Sequence, residues 1–230
     1  MFTGFTDATV DFLWGIRFNN ERGWFLEHKD DYINTFLTPT RELGEQVYDA
    51  VHALLPDEPL MLKVSRIYRD ARRLFGRGPY KDHLWWCIRT GDKDWTGRPT
   101  FWFELGPDYY SFGLGFWSPA AALMETYRKQ IDAHPEELSK LVRQFNRQSV
   151  FTLDGPEYAR SKGQTSDLLR PWYQKKSLSL RWEGPLDERI FTSALAEDII
   201  AGFKTLIPFY HYFNKLVSLT PRQERRGEEA

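Results

Sequence analysis

An arginine-rich stretch, residues 65–81, is the part of this sequence whose residue types and spacing could do chemistry. It holds five arginines and one lysine against one aspartate, whereas the whole chain has a net charge of -1. Arginine presents a planar fork of donors that matches the oxygens of a carboxylate or a phosphate. Gly76, Gly78 and Pro79 predict a rigid turn at which backbone can come close to a ligand. The stretch therefore predicts an anion site.

The side chains that we expect to hold this anion are cationic or phenolic: Arg66, Tyr68, Arg69, Arg72, Arg77 and Lys81. If residues 65–70 form a strand, Arg66, Tyr68 and Asp70 share one face, and Asp70 can hold an arginine fork. The competing explanation is a set of surface ion pairs, which contribute little to stability. Our hypothesis is a small ligand that carries a phosphate or a carboxylate. The alternatives are a nucleic acid, with bases stacked on aromatic side chains, and an acidic protein partner.

A second polar cluster precedes the first and consists of Asn19, Asn20, Trp24 and Lys29. The amide and ammonium groups could complete a polar pocket walled by the indole of Trp24. The tandem asparagine also suits a simple helix cap or turn. The sequence leaves open whether the two clusters meet in space.

Three side chains are candidates for acid–base chemistry at this site, should a reaction take place there. His83 lies two residues after Lys81 and is the candidate general acid or base. Tyr80 is the second candidate proton donor, and Asp70 is the candidate orienting carboxylate. A histidine satisfied at the start of a strand is the favoured explanation of His83, so the sequence supports binding and leaves catalysis open.

Other classes of function find little support. No two of the five histidines are spaced with an acid as in a metal site, so we expect no metal and no cofactor. The single cysteine, Cys87, lies in an apolar run, which predicts a buried thiol and is consistent with a cytoplasmic location. No signal peptide and no membrane-spanning run are visible. The near-neutral charge also disfavours bulk binding to membranes or nucleic acid. The oligomeric state is left open.

Hydrophobic periodicity predicts helices on both sides of a block of strands. The predicted helices cover residues 6–18, 26–55 with a new start at Pro39, 118–131, 134–145 and 187–206, the last one bent or broken by Pro208. The predicted strands cover residues 63–70, 83–89, 100–105, 109–117 and 177–182. In the third of these, alternation predicts Phe101, Phe103 and Leu105 on one face, with Trp102 and Glu104 on the other. We expect a loop with one short helix over 151–170, and close backbone packing at Gly113 and Gly115.

This order predicts an α+β fold. The expected architecture is a single domain over residues 1–218, with a mostly antiparallel central sheet flanked by N- and C-terminal helices. Residues 219–230 are charged and poor in apolar side chains, which predicts a flexible C-terminal tail.

Several motifs also occur in the order known from one family. They are Asn19-Asn20-x-Arg22-x-Trp24-Phe25, His28-Lys29-x-x-Tyr32, Arg66-Ile67-Tyr68-Arg69-Asp70-x-Arg72, Pro79-Tyr80-Lys81-x-His83 and Gly113-x-Gly115-x-Trp117-x-Pro119. The chain resembles, over about residues 2–208, the family called domain of unknown function 2461. One departure is that arginine largely replaces the lysines that members usually carry between Arg72 and Pro79. The resemblance implies a cytoplasmic single-domain protein and supplies no reaction.

Overall fold

A six-stranded antiparallel sheet organises the residues that the computed structural model describes, which are 1–74 and 76–221. Its strands are β1 (Leu60–Val64), β2 (Leu84–Thr90), β3 (Pro99–Leu105), β4 (Tyr110–Phe116), β5 (Thr152–Asp154) and β6 (Ser179–Gly184). Their spatial order is β1-β2-β3-β4-β6-β5, and every neighbouring pair is antiparallel. The predicted α+β class and antiparallel sheet are confirmed.

Helices precede, interrupt and follow the strands. They are α1 (Asp7–Phe18), α2 (Arg22–Glu27), α3 (Lys29–Asp31), α4 (Thr38–Leu54), α5 (Ala121–Ala133), α6 (Pro135–Phe145), α7 (Arg170–Tyr173) and α8 (Ala194–Leu219). A π-helix, Tyr32–Leu37, joins α3 to α4, and short 3₁₀ turns occur at Ala71–Arg73, Trp95–Gly97 and Glu188–Phe191. None of the helices within the described ranges combines the length and the apolar character that a bilayer span requires.

One face of the sheet forms the core because alternate strand residues turn toward α4 and α8. On β3, Phe101 and Phe103 are fully buried, and the Phe101 ring lies 4.8 Å from that of Phe203 on α8. Trp102 and Glu104 point to the opposite face and stay partly exposed, as alternation predicts. The sheet therefore has a covered face, which packs against helices, and an open face.

Helix α4 begins at Thr38 with Pro39 in its first turn, close to the predicted new start. The backbone is already helical before it, because the π-helix leads into α4 without a break. Proline has no amide hydrogen, so the carbonyl four residues earlier loses its helical partner. That carbonyl belongs to Thr35 and accepts a hydrogen bond from the Thr9 hydroxyl at 2.6 Å. The Thr9 side chain on α1 therefore satisfies the Thr35 carbonyl that Pro39 leaves without a helical partner.

The strand predicted over 63–70 is wrong beyond Val64. The chain leaves the sheet after β1, and residues 65–70 are irregular apart from a bridge between Tyr68 and Tyr80. Two backbone bonds flank this bridge, from Arg69 N to Pro79 O and from Lys81 N to Ile67 O. Residues 67–69 therefore pair with the segment that returns to β2, whereas Ser65 still bonds to β2, through its amide and hydroxyl to Trp85.

The predicted helix break at Pro208 is also wrong, because α8 continues through it to Leu219. A proline inside a helix costs about 3 kcal/mol. The buried side chains that follow it, among them Phe209, Tyr210 and Phe213, offset that cost by packing in the core. In addition, Lys204, whose carbonyl loses its partner, is solvent-exposed, so water can reach this turn.

Three smaller predictions have mixed outcomes. Helix α5 begins at Ala121, slightly after the expected start at Ser118, and its apolar side chains Leu123, Tyr127 and Ile131 are buried. The loop expected over 151–170 contains the short edge strand β5, which pairs with β6. Residues 222–230 lie outside the described residues, so the flexible tail and the domain limits stay predictions.

Candidate functional site: a basic groove beside a tryptophan cleft

An open groove next to the end of β1 brings together most of the cations expected to hold an anion. Its volume is about 660 Å³. The residues that line it are Lys63, Val64, Ser65, Arg66, Tyr68, Arg69, Asp70, Arg72, Lys81 and Trp85. We call it the basic groove. Five of these side chains are cationic and one is acidic, so the local charge is positive while the chain is nearly neutral.

Lys81 is the most constrained cation in the basic groove. Its ammonium donates a hydrogen bond to the carbonyl of Arg66 at 2.5 Å. Partial burial lowers its pKa, and the nearby charges of Arg69 and Arg66 lower it further. These like charges destabilise one another when the groove is empty of anions, and a bound anion would relieve that repulsion.

Two arginines of the groove already have acidic partners. Arg72 places Nε and Nη2 on the carboxylate of Asp70 at 3.0 and 2.8 Å, which is the arginine fork expected of Asp70. Arg69 donates through Nε to the carbonyl of Tyr80 at 2.7 Å and lies 3.5 Å from Asp82. Part of the positive charge is therefore engaged in ion pairs.

Two other cations are uncompensated. Within residues 1–74 and 76–221, neither the guanidinium of Arg66 nor the ammonium of Lys63 forms a hydrogen bond or an ion pair. The sequence reasoning missed Lys63. The signal was strand alternation, since Leu62 packs beside Gly44 on the covered side and Lys63 must point the other way.

The two predicted clusters meet through Asn20. Its amide donates to the carbonyl of Tyr80 and its oxygen accepts from the amide of Tyr80, both at 2.9 Å. On α2, which follows Asn20, the ring of Phe25 stacks on that of Tyr80 with centroids 4.2 Å apart. Asn20 thus positions the returning segment from behind and lies outside the lining of the basic groove.

The other members of the second cluster face elsewhere. Asn19 donates to the carbonyl of Gly15 at 3.0 Å, at the end of α1. Trp24 stacks on His28 with centroids 4.0 Å apart, and Lys29 is exposed at the start of α3. From the first cluster, Arg77 donates to the carbonyl of Leu74 at 3.3 Å and is not among the described residues that line the groove.

The three candidates for acid–base chemistry have separate surroundings. Asp70 lies in the groove on Arg72. Tyr80 is 4% exposed, and burial raises its pKa. His83 lies 3.2 Å from Asp82 through Nδ1. Asp82, which the sequence reasoning missed, also binds Arg17 at 2.7 Å. The bonds from His83 and Arg17 outweigh burial and hold its pKa well below the usual range.

A second cavity lies on the open face of the sheet. Four tryptophans contribute to it, namely Trp85, Trp95, Trp102 and Trp117, together with Cys87, Glu104, Ser111 and Arg181. We call it the tryptophan cleft, and its volume is about 260 Å³. Trp85 also lines the basic groove, so the two cavities share one wall.

Glycines at two positions of β4 keep the strand close to β6 in this region. A Cβ at Gly113 would lie 2.1 Å from the carbonyl oxygen of Leu180, and one at Gly115 would lie 2.5 Å from that of Leu178. The predicted close backbone packing is confirmed. Gly113 pairs with Trp102, so no β4 side chain stands beside this indole in the cleft.

Buried polar atoms in the cleft have no partner among the residues described. They are the hydroxyl of Ser111 and Nε of Arg181. Arg181 uses its other nitrogens to contact Glu183 and, at 3.6 Å, Asp154, while Glu104 accepts a hydrogen bond from Tyr109. Burial raises the pKa of the Cys87 thiol to about 11, so this group is neutral at pH 7. Within the described ranges, no three His, Cys, Asp or Glu side chains are arranged to hold a metal ion.

Comparison with known proteins gives one match. The family model of the conserved hypothetical proteins DUF2461 matches residues 8–212. This range includes the whole sheet, the basic groove and the tryptophan cleft. A comparison with curated proteins found no match.

Proposed function

The chain belongs to the DUF2461 family of conserved hypothetical proteins, and we propose that it binds a small ligand bearing a phosphate or a carboxylate in the basic groove. The observation that supports this most directly is the pair of uncompensated cations, Lys63 and Arg66, beside the crowded Lys81. Ion pairing accounts for Arg69 and Arg72, which have acidic partners, but not for Lys63 and Arg66. We propose the cytoplasm as its compartment, in line with the lone, buried thiol of Cys87.

The division of labour in the groove follows from these contacts. Asp70 holds Arg72 and Asp82 holds Arg69, so both guanidinium groups are oriented before a ligand arrives. Lys63 and Arg66 supply the charge that is not already neutralised. Binding would then add charge-assisted hydrogen bonds, each contributing about 1.5–3 kcal/mol.

The proposal is tested by thermal unfolding of the purified chain with phosphate, pyrophosphate or citrate at low and moderate salt. A ligand that binds only the native state raises the unfolding midpoint, and the rise grows with the ratio of its concentration to Kd. We expect Arg66→Gln combined with Lys63→Gln to weaken anion binding by roughly tenfold or more. Neither side chain makes a hydrogen bond or ion pair in the described structure, so the double variant should retain the native fold.

Arg143→Gln is the matched control, because Arg143 is an exposed arginine of α6 outside the groove. Equal losses in the control and the double variant would indicate a general charge effect and contradict the proposal. Absence of any anion-induced shift would also contradict it. Binding to single-stranded nucleic acid with a steep salt dependence, in place of these small anions, would instead support the nucleic-acid alternative.

A further inference from the structure

The tryptophan cleft adjoins the basic groove so closely that one small molecule can occupy both. Trp85 lines both cavities, and the ammonium of Lys81 lies 5.6 Å from the centre of its ring. An anion bound by Lys81 is thus within a few bond lengths of the aromatic wall. Whatever is attached to that anion extends over Trp85 or into solvent.

The tryptophans form a platform for a flat group. Trp117 lies between Trp85 and Trp95, with ring centroids 6.3 and 6.5 Å away and interplanar angles of 33° and 37°. Rings at these shallow angles form one curved surface. An aromatic cage that binds a cation instead encloses its ligand on several sides. Trp117 is 71% exposed, which is unusual for so large an apolar side chain and typical of a binding surface.

The charges around the cleft argue against a cationic ligand. Arg89 lies over Trp95 at 4.6 Å, Arg181 lies over Trp102 at 5.8 Å, and Lys81 is near Trp85. Three indoles therefore already carry a cation, and a second one would meet its repulsion. A neutral ring stacks without that penalty.

Polar atoms in the cleft could bind the edge of such a ring. The Ser111 hydroxyl and Nε of Arg181 are buried without partners in the part of the chain that the structure describes, and Ser111 is 1% exposed. Buried polar groups are nearly always hydrogen-bonded in native proteins, so these atoms indicate a missing partner. A ring that carries both acceptors and donors at its edge would supply it.

We propose that the ligand is a nucleoside phosphate, with its phosphate in the basic groove and its base on the platform of Trp85, Trp95 and Trp117. This inference rests on the proposed anion binding and names the class of molecule that the same site takes. The cleft is about 260 Å³, which accommodates one ring system rather than a run of bases. The ligand is therefore a mononucleotide rather than a nucleic acid strand.

The experiment compares the affinities of four kinds of probe for the full chain, measured by calorimetry and by tryptophan fluorescence. The probes are the four ribonucleoside monophosphates, the matching nucleosides, ribose 5-phosphate and inorganic phosphate. Stacking of one base strengthens binding by about 5- to 150-fold. We expect at least one nucleoside monophosphate to exceed ribose 5-phosphate by that factor.

Two variants separate the parts of the ligand. Trp117→Ala should abolish the advantage of the nucleotide and leave the affinity for ribose 5-phosphate unchanged, while Arg66→Gln should weaken every phosphate. Trp14→Ala is the matched control, because Trp14 is a partly exposed indole of α1 that lines neither cavity. It should bind all probes as the parent chain does.

The outcomes distinguish the two proposals. Equal affinity for nucleotides and ribose 5-phosphate, or no effect of Trp117→Ala, would overturn the nucleotide assignment and leave the anion site standing. Nucleosides that bind as well as nucleotides would overturn the anion site and leave the aromatic platform. Tighter binding of oligonucleotides than of mononucleotides would overturn the single-ring ligand. Failure of every probe to bind would overturn the nucleotide assignment together with phosphate as the anion of the basic groove.

Discussion

On β2, two adjacent tryptophans have opposite environments. Trp86 is fully buried on the covered face, where its ring stacks on Phe103 at 5.4 Å. Trp85 is on the open face, where its ring is near Trp117 and the ammonium of Lys81. Tryptophan thus packs among buried rings on the covered face, whereas on the open face it lies near a cation and solvent.

Under the proposed function, this difference between the faces assigns stability to the covered face and recognition to the open face. The covered face is almost entirely apolar, and each ring excludes water from its neighbours. The open face combines indoles with charged groups, and its buried polar atoms without a partner among the described residues include Ser111 Oγ, Arg89 Nε and Arg181 Nε. Substitutions on the covered face should therefore affect folding, whereas those on the open face should affect binding.

The largest effect is expected for Phe103→Ala on the covered face. Phe103 is fully buried against Trp86, so truncation leaves a cavity and costs about 3–5 kcal/mol in the free energy of unfolding. Urea unfolding of the variant and the parent chain measures this. A loss below about 1 kcal/mol would mean that the covered face is not the stabilising core.

A smaller loss is expected for Gly113→Ala, which tests whether the open face tolerates any added side chain. The new Cβ would lie 2.1 Å from the carbonyl oxygen of Leu180, so β4 and β6 would have to separate. Forced overpacking of this kind costs about 1–3 kcal/mol, measured as above.

Gly23→Ala is the control, since no atom lies within 4 Å of the added carbon. Gly23 is in α2, where alanine is favoured over glycine by about 0.5–1 kcal/mol, so this variant should be no less stable than the parent. Equal stability of the two variants would show that the strands at Gly113 have room to adjust.

The loss of stability in Asp82→Asn should depend on pH, unlike the loss in the covered-face variant Phe103→Ala. The pKa of Asp82 is lower in the folded chain than its unfolded value near 3.9. Its charge therefore stabilises the fold above about pH 4, and this stability is lost as the pH falls toward the folded pKa. The parent should exceed the variant by roughly 1–2 kcal/mol at pH 6, and the gap should narrow at pH 3.

Phe103→Ala is the reference for that experiment, because no titrating group contributes to its loss. Its deficit relative to the parent should be nearly the same at pH 6 and pH 3. If the deficit of Asp82→Asn were equally constant, the carboxylate of Asp82 would be contributing through its shape or its neutral hydrogen bonds alone.

The sequence was sufficient for β2, β3, β4 and β6, but not for the limits of β1, for the short strand β5 or for the choice of the face that helices cover. Alternation in β3 placed Phe101 and Trp102 on opposite faces correctly, because a strand has a period of two. In β2 the run Leu84-Trp85-Trp86-Cys87-Ile88 is apolar throughout, so the pattern does not tell which face helices cover. That depends on α8, more than 100 residues later.

The candidate site was only partly predictable for the same reason. The arginine cluster is local, so its charge was visible in the sequence. Lys63 and Trp85 join it because the chain leaves the sheet after Val64 and returns at Leu84, and Asn20 holds the returning segment from the distant turn between α1 and α2. These are contacts between segments that no local periodicity encodes.

The smallest effect on stability is expected for Trp117→Ala. This variant is the sharpest test of the difference between the covered face and the open face. Trp117 is 71% exposed, so its removal should change the free energy of unfolding by less than about 0.5 kcal/mol. The proposed nucleotide affinity should nevertheless fall, because the central ring of the platform is gone. A loss of stability near that of Phe103→Ala would show that the open-face tryptophans are a second core, and the separation of folding from recognition between the two faces would then fail.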